Sequence, residues 1–180
     1  MTRLLVPVLA ALALLAAGCG GDGNGGDETL SASEWASEFC EAITTWGESL
    51  QSATEPIRGG NVSREALQQA ADDVESSTQE FTDALEGLGA PDTESGQEAK
   101  DLLDGLDEEL DDDLQRIQTA ADNASLSNIQ STASTVANTL AAMAQQIAST
   151  FEELGRLDAA DELEQAFNEA DSCQEIREGR

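Results

Sequence analysis

The chain has 180 residues, enough for one domain of ordinary size, and carries 37 acidic against 8 basic side chains, for a net charge of -29. That balance excludes nucleic acid and anionic lipid as partners of the body, because there is no cationic patch to displace counterions or meet headgroups. His is absent, so the commonest general base near neutral pH and the commonest metal ligand are both missing.

The amino terminus, MTRLLVPVLAALALLAAGC, has the layout of an export signal. Arg3 supplies positive charge, Leu4 to Ala17 is an apolar run of 14 residues, and small residues precede Cys19. Such a run reaches only ~21 Å as a helix, short of a bilayer core of about 30 Å, so a permanent span is not expected. Leu15-Ala16-Ala17-Gly18-Cys19 resembles the lipobox of bacterial lipoproteins. The resemblance implies cleavage before Cys19, with lipid added to its thiol and to the new amine. Residues 1–18 are then the signal peptide, and residues 19–30 a lipidated Cys with a Gly-rich tether. A tether of this composition is a flexible coil with an r.m.s. span of roughly 17 Å. The expected place is the extracytoplasmic side of the cell membrane, held by lipid; an ordinary signal peptide leaving a free thiol is the alternative.

Residues 31–176 read as a helical bundle, with 177–180 as a tail. Ser31 and Glu34 stand at capping-box spacing. The first segment then carries Trp35, Phe39, Ile43, Trp46 and Leu50 at helical spacing, and is expected to end before Pro56. The second opens near Ser63. Leu67, Val74, Phe81 and Leu88 recur every seven residues with Ala71, Thr78 and Leu85 between them, until Gly87, Gly89 and Pro91 stop it. The third carries Ala99, Leu103, Leu106, Leu110, Leu114 and Ile117. The fourth carries Ile129, Ala133, Val136, Leu140, Met143, Ile147, Phe151 and Leu154. A shorter fifth shows Leu157, Leu163, Phe167, Ala170 and Ile176. No stretch alternates as a half-buried strand does. The expected fold is all-α: an up-and-down four-helix bundle with a short fifth C-terminal helix. Cys40 and Cys173 are the even pair left in an exported body, so a disulfide between them is expected to staple the first helix to the last. Neither His nor a C-x-x-C spacing accompanies them to suggest a redox or metal site.

Two faces stand out. Eight carboxylates crowd residues 101–113, and Asp101, Asp104, Glu108, Asp111 and Asp112 fall on one side of the third helix, opposite its leucines. Parallel side chains on a convex helix diverge, and no EF-hand pattern is present, so a solvated face is expected rather than a specific Ca²⁺ or Mg²⁺ site. The fourth helix is the opposite case: Asn123 to Phe151 holds no charged side chain. Its far side is Ser127, Ser131, Ser134, Asn138, Ala142, Gln145 and Ser149. The simpler expectation is that the fifth or the first helix covers this side. The alternative is a contact surface for an envelope protein or a second copy.

The Ala/Asp/Glu-rich body with a Cys near each end looks like small helical lipoproteins of high-GC Gram-positive bacteria, a likeness that implies no active site. Neither a phosphate-cradling Gly loop, a zinc-ligand cluster nor a nucleophile–base pair is visible, so no enzyme and no cofactor are expected. The reading is a non-catalytic, membrane-anchored interaction or scaffold module. A ligand-binding protein with a cavity between helices, lined by Trp35, Phe39 and Trp46, is the competing class.

Overall fold

The computed structural model describes residues 29–58, 62–157 and 162–178. The signal sequence, Cys19 and most of the tether lie outside the described residues. Those residues form six helices: α1 (Ala32–Arg58), α2 (Arg64–Leu88), α3 (Gly96–Asp122), α4 (Ile129–Leu154), α5 (Glu162–Glu169) and α6 (Asp171–Glu178). The first four run up and down as a bundle, α1 on α2, α2 on α3 and α3 on α4, while α5 and α6 pack on α1.

Local chemistry starts α1 and α2 where the sequence predicts. At α1 the Ser31 Oγ accepts from the Glu34 N–H (3.3 Å), and the Glu34 carboxylate accepts from the Ser31 N–H (3.3 Å) and hydroxyl (2.7 Å). Those bonds hold the Glu34 carboxyl below its ordinary pKa, the hydroxyl contributing most. Ser63 caps α2 by accepting from the Ala66 N–H at 3.1 Å. Gly89 ends α2 with a positive φ of 60°, a conformation that suits glycine. The turn beyond it is tied to the start of the domain: the Asp92 N–H donates to the Leu30 carbonyl (2.8 Å), and the Trp35 indole donates to the Gly89 carbonyl (3.0 Å).

The apolar stripes meet as one core. Leu103, Leu106, Leu110, Leu114 and Ile117 of α3 are all buried against it, as are Leu67, Val74, Thr78, Phe81 and Leu85 of α2. Trp35, Phe39, Phe151 and Phe167 form one aromatic group, with ring centroids 4.9 to 6.4 Å apart. Trp46 and Phe81 form a second, at 5.5 Å. Cys40 and Cys173 are bonded, with Cα atoms 5.1 Å apart, and both are fully buried.

Four expectations need correction. First, α1 does not stop before Pro56 but continues to Arg58. A proline in the last turn forfeits one helical hydrogen bond, which the end of a helix tolerates better than its middle. Second, the C-terminal segment is two helices broken at Ala170, not one. The Ala170 carbonyl starts α6 by accepting from the Cys173 and Gln174 N–H groups. Beyond the break Cys173 reaches Cys40, and the Ser172 hydroxyl donates to the Ser37 carbonyl (3.1 Å). Third, α6 runs past Ile176, and Arg177 is not a loose tail residue. Its guanidinium donates to the Phe167 carbonyl (2.7 Å) and the Asn168 side chain (2.8 Å), and stands 5.9 Å over the Phe151 ring. Fourth, Ile129, Ala133 and Leu140 of the α4 stripe are only half-buried, because α4 lacks a close neighbour on one flank.

Candidate interaction site

The site follows from how the ring of helices closes. In a closed four-helix bundle α1 would pack along α4. Here the two helices make at most marginal backbone approach. At one end the slot between them is filled by α5, whose Phe167 ring lies against Trp35 and Phe39 of α1 and Phe151 of α4. Past that point nothing of the described chain enters. What remains is an open groove of about 470 Å³.

Its α1 wall is Trp46, Gly47, Leu50, Gln51, Thr54 and Ile57; its α4 wall is Ala133, Val136, Ala137, Leu140, Ala141 and Ala144. Trp46 and Val136 are buried at its base, whereas Gly47, Ala137, Ala141 and Ala144 are exposed along its rim. No lining residue is charged. The polar groups at its base are already paired: the Trp46 indole donates to the Thr78 hydroxyl (3.1 Å), and the Thr54 hydroxyl donates to the Leu50 carbonyl (2.7 Å). Apart from the exposed Gln51 amide, the groove therefore offers apolar surface.

The outer side of α4 is open as well. Ser131, Ser134, Asn138, Gln145 and Ser149 are exposed, so cover by the chain's own helices, the simpler expectation, is overturned. The physical reason is the placement of α5 and α6, which the disulfide and the aromatic group hold on α1. Ser127 is exposed too, but it belongs to the α3–α4 turn and not to the helix face. Beside it Leu126 is 97% exposed, an apolar side chain at the end of the same surface. Several hydroxyls on this side turn inward: Ser131 donates to the Asn128 carbonyl (2.7 Å), Ser134 to Gln130 (2.9 Å) and Thr135 to Ser131 (3.0 Å). Bonds of this kind make the face less polar than its composition suggests.

No family model, no curated protein and no solved structure matches this chain.

Trp35 and Phe39 are fully buried in the aromatic group and line no groove, so the three aromatics do not share a cavity; only Trp46 borders one. Asp101, Asp104, Glu108, Asp111 and Asp112 are exposed, with Lys100 paired to Asp104. Asp107, beside that stripe, is partly buried. Desolvation, then the charge of Asp111, pushes its pKa above the ordinary value. Among the described residues no cluster of three His, Cys, Asp or Glu is placed to hold a metal, and no helix is long and apolar enough to cross a membrane.

Sequence reading missed Asp113. It is only 3% exposed, accepts from Arg116 through one carboxylate oxygen, and buries the other without a hydrogen-bond partner. Its position was legible: it stands three residues after Leu110 and four before Ile117, on the stripe of α3. The surrounding run of carboxylates hid it.

Proposed function

We propose that this protein is a non-catalytic interaction module, held outside the cell membrane by lipid on Cys19, that presents α4 and the adjoining groove to a partner in the envelope. The observation that carries the reading is the exposure, on a chain of net charge -29, of a helix with no charged side chain from Ile129 to Phe151. Elsewhere a partner must strip water from carboxylates, which costs far more than burying Ser, Ala or Asn. Along α4 it need not.

Site-specific photo-crosslinking on intact cells tests it. A crosslinker at Asn138 should capture a recurring envelope protein, and one at Asp111 on the acidic helix should not. Equal capture from both positions, or none from Asn138, would refute the reading; capture of a second copy alone would replace it with self-association.

A small-molecule site is the second reading. A groove of about 470 Å³ lies within the size range of such sites. Trp46 at its base makes intrinsic fluorescence the measurement, with a ligand-dependent change as the positive result.

A further inference from the structure

We infer that the open length of the α1–α4 slot receives a short amphipathic helix from a partner protein, one carrying lysine or arginine along the edge that faces α1. The inference rests on the interaction-module reading and names the chemistry of its partner.

Continuity is the first argument. The slot already takes a helix at one end: α5 seats Leu163, Ala166 and Phe167, all buried, against α1. The groove continues that seat along the same two helices. Trp46 to Ile57 covers about three helical turns, ~16 Å, so it matches a helix of about a dozen residues presenting anchors at i, i+4 and i+7. Its exposed rim suits an occupant that covers the rim with its own flanking side chains; an acyl chain lying there would stay half in water.

Charge is the second. Glu48 and Glu55 are exposed on the outer face of α1, three and four residues from Gln51 at the edge of the groove, and Glu48 also lines the cleft on the α2 side. The nearby outer positions of α4, Ser134, Asn138 and Gln145, are neutral. The asymmetry sets an orientation: a cationic edge belongs over α1, an uncharged edge over α4. A second copy fits poorly, because it brings a further net charge of -29 and only 8 basic residues.

The test uses the full lipidated chain in nanodiscs of zwitterionic lipid and three dye-labelled synthetic helices. One has leucine anchors and lysines, one has the same anchors with glutamates, and one has the lysines but serine for leucine. The lysine–leucine helix should bind best and perturb Trp46 emission. Ala141→Arg, at an exposed helical position, should weaken it at least about tenfold while leaving the thermal midpoint in place. Glu48→Lys with Glu55→Lys should shift preference toward the glutamate helix. Binding indifferent to Ala141→Arg, or equal for both leucine helices, would overturn the inference. So would an Ala141-dependent fatty-acyl probe or dimer in the absence of helix binding. If Asn138 still captures a partner on cells while no helix binds, the module stands and this occupant fails; if neither occurs, both fail.

Discussion

Asp113 occupies a seam position of α3 where Leu103, Leu106, Leu110 and Ile117 set an apolar spacing. A buried carboxylate with one unpaired oxygen is a cost that Arg116, itself largely exposed, offsets only in part. Asp113→Leu is therefore expected to raise stability by about 1–2 kcal/mol in chemical denaturation. Arg116→Ala should lower it, since the carboxylate then loses its remaining partner. A lower denaturation midpoint for Asp113→Leu would show that the carboxylate is needed where it is. Asp107 makes a prediction about pH. Its folded-state pKa lies above the ordinary 3.8, so folding binds its proton more tightly than the unfolded chain does. The stability it contributes is full below that ordinary value and lost as pH rises through the raised one. Asp107→Asn should then be more stable than the parent at pH 7, by about 0.5 kcal/mol, with the gap closing as pH falls toward 4. A gap that widens on acidification would contradict the assignment.

Two elements hold the geometry of the site. The α2–α3 turn depends on Gly96, where an added Cβ would clash with the Pro91 carbonyl oxygen. Gly96→Ala must move backbone, with an expected loss of about 2–3 kcal/mol readable as a drop in thermal midpoint. An unchanged midpoint would mean that the turn relaxes freely. The α5–α6 pair depends on its covalent tie to α1. Cys173→Ala should cost about 2–5 kcal/mol and shift Trp35 emission to the red, because the aromatic group loses its clamp. Alkylation of two thiols in the exported, unreduced protein would reject the bond itself. Three helix limits were legible from the sequence, because a cap or a left-handed residue is a property of three or four neighbours, as at Ser31–Glu34, Ser63 and Gly89. The break at Ala170 was not. Leu163, Phe167, Ala170, Cys173 and Ile176 keep a helical spacing straight through it, and the contacts of Cys173 with Cys40 and of Ser172 with Ser37 are made only in the folded chain.

At the scale of the molecule, repulsion among carboxylates opposes folding, and salt should relieve it. Raising ionic strength from about 0.01 M to about 1 M shortens the screening length from ~30 Å to ~3 Å, so the thermal midpoint should climb by several degrees. A midpoint indifferent to salt would mean that the acidic face of α3 is already neutralised by bound cations. The sequence by itself determined the all-helical class, the core stripes of α2 and α3, the pairing of Cys40 with Cys173 and the solvated carboxylates of α3. Each follows from periodicity within one segment or from counting residues. Whether α4 is covered, and whether Trp35, Phe39 and Trp46 share a cavity, was decided only by tertiary structure. Burial depends on where the other helices go: Phe167 seals one end of the α1–α4 slot, no described helix extends along the other, and a lone helix pattern holds no record of its neighbours.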